Sequence, residues 1–210
     1  MSKFFNKEIF YYYRRVLTNP IDSFYEIRHR EKGSVPLALI TLLVFSICFT
    51  MNRIFAGFIV NLTDPRTVNG IDDLTRILLL FVLFSIGNWS VTCLSEGEGR
   101  FKDILTVAGY ALMPLIITYI PAIIVSNVLG ENEEIFYNII LGFGFAWSGI
   151  LILLGIMTIH NYTMLKTIVT LIITIVAMLI VIFLAVLLFD MLNQVTGMFR
   201  GIYSELTLRS

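Results

Sequence analysis

Ile168 to Phe189 reads IVTLIITIVAMLIVIFLAVLLF, a run with no charged or strongly polar side chain. At about 1.5 Å of rise per residue, a helix of that length crosses a hydrocarbon core of about 30 Å. A helix in water needs a polar face, and this one has none. The stretch therefore belongs in a lipid bilayer. The whole composition agrees: hydrophobic residues make up 57% of the 210 and charged residues only 14%, with a mean hydropathy of +0.85. Such usage lies well outside that of soluble domains.

Working outward, five segments read as membrane spans: about Val35 to Val60, Leu74 to Leu94, Ile104 to Leu129, Phe136 to Ile159 and Leu165 to Leu192. The second and third are interrupted by Asn88, Trp89, Pro114 and Pro121. The expected fold class is all-α, a polytopic membrane helical bundle of five transmembrane helices preceded by an N-terminal interfacial helix. Three regions follow: 1–34, a cytoplasmic amphipathic segment; 35–193, the five-span membrane domain; and 194–210, a short C-terminal tail. Residues 1–34 are charged and aromatic without an apolar core, so no cleavable signal peptide is expected.

Charge distribution orients the bundle. Lys3, Lys7, Arg14, Arg15, Arg28, Arg30 and Lys32 precede the first span, Arg100 and Lys102 lie in the second loop, and Lys166 lies in the fourth. The alternate loops carry Asp64, Asp72 and Asp73, then Glu131, Glu133 and Glu134. The positive-inside rule places the N-terminus in the cytoplasm and, after five spans, the C-terminus outside, which Arg200 and Arg209 mildly oppose. Phe4 to Leu17, FFNKEIFYYYRRVL, forms a stripe through Phe5, Ile9, Tyr12 and Val16, with its basic residues elsewhere. Such a helix lies either on the lipid surface or on the bundle's own end.

The third span is the most distinctive. Pro114 and Pro121 fall two turns apart on one face, and each removes a backbone donor. The resulting kink either lines a pathway, as broken helices do in transporters, or simply lets five helices pack. In the fourth span Gly142 with Ala146 and Gly144 with Ser148 are small-residue pairs that let backbones approach closely, within the bundle or between copies. Arg53 and Asp190 are expected near the outer boundary, snorkelling to water or pairing with each other. His160 and His29 read as solvated or interfacial, and Cys48 and Cys93 as small packing residues. Two isolated histidines and two cysteines supply no metal site, and no phosphate loop, serine elbow or paired-histidine motif is present. No catalytic, cofactor-binding or metal residues are expected, and with zero net charge nothing suggests nucleic acid.

Gly109 to Leu115, GYALMPL, resembles the glycine-tyrosine-x-x-x-proline segment of the Yip1 domain family. Asn19–Ile27 (NPIDSFYEI) with Lys32-Gly33-Ser34, Cys93–Asp103 (CLSEGEGRFKD) and His160–Thr167 (HNYTMLKT) resemble its bacterial branch, over about Asn19 to Asp190. The long N-terminal region of eukaryotic members and their acidic-leucine-tyrosine-glycine-proline motif are missing, so their binding of trafficking GTPases is not carried over. The resemblance implies a non-enzymatic integral membrane protein. Because bacterial relatives tend to accompany ABC-type transport systems, it also implies an accessory role beside such a complex. A small transporter or channel built on the kinked third helix is the alternative. The structural or partner-binding residues expected are Gly109, Tyr110, Pro114, Pro121, Gly142, Gly144, Arg100 and Lys102. The expected partners are the bilayer and a membrane protein, with homo-oligomerisation left open.

Overall fold

The computed structural model describes residues 7–130 and 132–208, so readings placed on Lys3, Phe4, Phe5, Glu131 and Arg209 lie outside the described residues. The elements run α1 (Lys7–Arg15), α2 (Pro20–His29), α3 (Val35–Phe55), a 3-10 turn (Pro65–Thr67), α4 (Gly70–Leu94), α5 (Phe101–Tyr110), α6 (Met113–Ser126), α7 (Glu134–His160) and α8 (Met164–Leu208). Five stretches are long and apolar enough to span a membrane: α3, α4, α5 with α6, α7 and α8. Helices suit that setting because each satisfies its own backbone polar groups where no water can.

Local chemistry sets the ends. Pro20 and Pro36 sit in the first turns of α2 and α3, where a missing N–H costs nothing. The Asn69 side chain accepts the Ile71 N–H at 3.0 Å and caps α4. The Asp103 carboxylate accepts the Arg100 N–H at 3.2 Å and ties down the start of α5. Asn161 ends α7 in the left-handed region (φ 55°), which asparagine tolerates better than most residues.

The largest core cluster lies toward the end where α2 packs on α5 and α7. There Val16, Phe24 and Ile27 are buried against Ile104, Val107, Tyr110, Leu151 and Ile156. The inner face of α1 thus rests on the bundle, and its Tyr13 hydroxyl lies 2.9 Å from the Thr41 hydroxyl. Phe10 and Tyr11 stay exposed on the other side. Farther along, Phe45 and Cys48 of α3 pack on Leu115 and Tyr119 of α6, and Leu42 packs with Phe81 and Ala108. Cys93, by contrast, is exposed. Asn88, Val91 and Thr92 take the inward positions of α4, which turns residue 93 outward.

α8 starts on the bundle through buried Thr167, Thr170 and Thr174. From Leu179 onward its described side chains are exposed, and the helix continues unbroken through Leu208. The 194–208 part of the expected tail is thus the last portion of α8.

Candidate functional site

The third span is broken where the sequence places its first proline. α5 ends at Tyr110 and α6 begins at Met113, with Pro114 in the first turn of α6. The break is sealed. Ala111 is fully buried, and its carbonyl accepts the Ser148 hydroxyl of α7 at 2.6 Å. Thr118 donates back to the Pro114 carbonyl at 3.0 Å. Tyr110, also fully buried, accepts the Ser34 N–H on its hydroxyl at 3.1 Å, and the ring of Tyr13 meets its own edge-on at 4.8 Å.

Two glycines let the broken helix approach its neighbours. A Cβ on Gly109 would fall 2.4 Å from the Ala38 Cβ and 2.8 Å from its Cα, so α5 and α3 touch backbone to backbone. A Cβ on Gly144 would fall 2.1 Å from the Thr118 hydroxyl, which is where α7 meets α6. Gly109, Tyr110, Pro114 and Gly144 therefore converge on one locus. Gly142 and Ala146 do not join them: both are exposed, and a Cβ on Gly142 would meet nothing within 4 Å. Pro121 also stands apart. It is exposed, whereas Pro114 lines a cleft with Leu17 and Thr18, so the residues that follow α1 cover only the first proline.

Arg100 and Lys102 form a second locus, at the end where α2 meets the α4–α5 loop. The Arg100 guanidinium lies 2.8 Å from Glu31 and 3.0 Å from Asp103, and the Lys102 ammonium lies 3.0 Å from Glu31. Hydrogen bonds from Lys102 and Arg100 hold the Glu31 carboxyl below the usual carboxylate range. Hydrogen bonds to Asp103 and Glu31 push Arg100 up from its already high value. Arg28 completes the lock. It donates to the Ile159 carbonyl at 2.6 Å and also to the Glu98 carbonyl.

Side chains at the two ends of the bundle depart from the sequence reading. His160 is 1% exposed rather than solvated. Its Nδ1 accepts the Gly99 N–H at 3.0 Å, and its ring stacks on Tyr162 at 5.3 Å. The turn through Asn161 folds the chain back and places His160 under the Gly97–Gly99 loop. A Cβ on either glycine would strike its ring, at 2.5 Å from Gly97 and 2.6 Å from Gly99. The signal was available in the paired glycines, since a loop that spares two Cβ atoms leaves room for a ring. Tyr162 beside it donates to the Ser95 carbonyl at 2.9 Å, and burial pushes its hydroxyl above the usual tyrosine range. Arg53, at the opposite end, pairs with Asp73 and not with Asp190. Asp73 is 1% exposed and also accepts the Thr50 hydroxyl at 3.1 Å. Because α4 already begins at Gly70, its first turn carries Asp73 inward against α3, while Asp190 stays exposed on α8. His29 keeps its surface place, stacked on Tyr25 at 4.1 Å.

No group of three or more histidine, cysteine, aspartate or glutamate side chains among the described residues is placed to hold a metal ion. What these contacts build is an all-helical integral membrane protein with a sealed, glycine-packed break in its third span. The family model for the Yip1 domain matches residues 14–186, and the chain belongs to that family. Comparison with curated proteins and with solved structures returns no match.

Proposed function

We propose that this protein is a non-enzymatic accessory protein of the cell membrane that binds or organises another membrane complex, an ABC-type transporter being the partner class implied by the resemblance. Its N-terminus faces the cytoplasm and its C-terminus the outside. The observation that carries this reading is the sealing of the break. A transport pathway uses freed carbonyls to coordinate its cargo. Here the Ala111 carbonyl is buried and taken by Ser148, in a contact built for packing. The second supporting feature is lateral: beyond Leu179, α8 offers an apolar surface that its own bundle does not cover.

Two measurements test it. Purified protein reconstituted alone is expected to move no solute, and the same holds for the Pro114→Ala, Pro121→Ala variant. A photo-crosslinking side chain at Val181 or Leu188 is expected to give a discrete adduct with a transporter subunit in native membranes. Saturable flux from the protein alone, abolished in the still-folded double variant, would put a transporter in place of the accessory role.

A further inference from the structure

A cavity of about 180 Å³ opens beside the break, lined by Leu17, Thr18, Pro114, Ile117, Phe143 and Trp147. Its walls are almost wholly apolar, and the Phe143 and Trp147 rings meet edge-on at 5.3 Å along one side. Trp147 lies at the midpoint of α7 (Glu134–His160), so the cavity opens within the hydrocarbon layer, where an acyl chain is the solvent. Thr18 also lines a second basin, formed with Tyr11, Arg14, Arg15 and Asn19. The two hollows thus share a rim.

Among the described residues, only one of the two arginines on that rim has an ionic partner. Arg15 has a loose pair with Asp22 at 3.4 Å and lies over the Tyr11 ring at 5.9 Å. The Arg14 side chain is exposed and makes no ion pair or hydrogen bond among the described residues. A guanidinium held beside hydrocarbon calls for an anion, and a fork of donors suits a phosphate. An apolar slot at acyl depth adjoining an unpaired guanidinium has the chemistry of one ligand cut in two, a headgroup and a tail.

We propose that this double hollow is a site for one anionic phospholipid, drawn from the leaflet on which α1 lies. Its phosphate rests on Arg14 and Arg15, and one acyl chain enters between α6 and α7 beside Pro114 and Trp147. The site gives a role to two features that bundle packing leaves unused, the outward basic face of α1 and the aromatic pair flanking exposed Gly142. It also makes the docking of α1 sensitive to the lipid around it.

Trp147 reports on the cavity directly, since the chain has only one other tryptophan, Trp89. The full chain carrying Trp89→Phe is placed in bilayers containing either phosphatidylglycerol or phosphatidylcholine with dibrominated acyl chains. Bromine quenches a tryptophan it touches. Arg14 and Arg15 near a charged surface both favour anionic lipid, so brominated phosphatidylglycerol is expected to quench Trp147 at roughly thirtyfold lower mole fraction than brominated phosphatidylcholine. The preference should shrink with salt. Arg14→Gln, which breaks no ion pair or side-chain hydrogen bond among the described residues, is expected to lose most of it, and Arg14→Gln with Arg15→Gln to lose it all. A Trp147→Phe protein, reporting from Trp89 alone, should show none. Equal quenching by the two lipids, or a preference that survives the double variant, would overturn the site. So would a Phe143→Cys protein, in a cysteine-free background, that forms a disulfide dimer whatever the lipid, because that would give the cleft to a second copy of the chain.

Discussion

At Gly109 a methyl group has nowhere to go. Its Cβ would meet the Cα and Cβ of Ala38, atoms that cannot rotate away, so α5 must back off from α3. Overpacking of this kind costs about 1–3 kcal/mol. Gly109→Ala is therefore expected to lower the thermal midpoint of the detergent-solubilised protein. Gly142→Ala, at a position open to the surroundings, should leave it within about ±0.5 kcal/mol. Equal midpoints for the two would mean that α3 and α5 are not in backbone contact. Asp73 makes a second residue-scale test. Removing one partner of a fully buried ion pair costs about 3–5 kcal/mol. The Arg53 side chain keeps 28% of its surface exposed, so solvent reclaims part of that. Asp73→Asn is expected to cost about 2 kcal/mol, and Asp190→Asn close to nothing. A costly Asp190→Asn would restore the pairing that the sequence allowed and the structure does not show.

At the scale of elements, the α2–α5 junction carries a pH dependence with a definite sign. Glu31 is held below its ordinary value by Lys102 and Arg100. A carboxyl depressed by folding adds stability that is fully present above its unfolded value, near 4.3, and is lost as pH falls through the lowered folded one. Protection of the α2–α3 connection from proteolysis should accordingly weaken below about pH 4.5 in the wild type. In Glu31→Gln, where the carboxylate is gone at every pH, it should be weak throughout and change less. If both titrate identically, another carboxyl controls the junction. Glu31 also sits at φ 51°, a conformation a side chain rarely adopts without compensation, which its two cationic partners supply. That pairing was not legible in the sequence. Arg100 and Lys102 read as a basic loop because nothing local says that Glu31, far along the chain, folds back over them. The spans themselves were legible, because an apolar run of that length has one physical solution in lipid. The seat of α1 was not: a stripe through Tyr12 and Val16 satisfies acyl chains and a helical bundle equally well. Tyr13, which reaches Thr41 and Tyr110, and Val16, fully buried in the main core cluster, distinguish them. The break was legible from Pro114, but its role depended on Ser148, a residue the sequence offered only as a small side chain.

Over the whole molecule, the charges that were scattered along the sequence collect at two ends. Arg28 pairs with Glu98, Arg100 with Glu31, and Lys166 lies over Tyr162 at 4.2 Å, so the basic segments share one end. At the other end Asn127 donates to the Phe55 carbonyl at 2.9 Å, joining the loop after α3 to the loop after α6; these loops carry Asp64 and Glu133, and Asp72 lies in the first turn of α4. By the positive-inside rule, such an arrangement is expected to have its basic end in the cytoplasm. α8 then sets the far terminus. Its 45 residues make a rod of about 67 Å, more than twice the hydrocarbon thickness, which is long enough to cross the bilayer and carry its last turns into water on the far side. Single cysteines in a cysteine-free background test the arrangement with an impermeant thiol reagent on intact cells. Glu96→Cys, in the loop after α4, is expected to react only after the cells are permeabilised. Asn132→Cys and Tyr203→Cys, both at exposed positions, are expected to react at once. The reverse pattern would invert the molecule. Protection of both Glu96→Cys and Tyr203→Cys beside a reactive Asn132→Cys would mean that α8 returns to the side from which it started, leaving four crossings and a C-terminus beside the N-terminus.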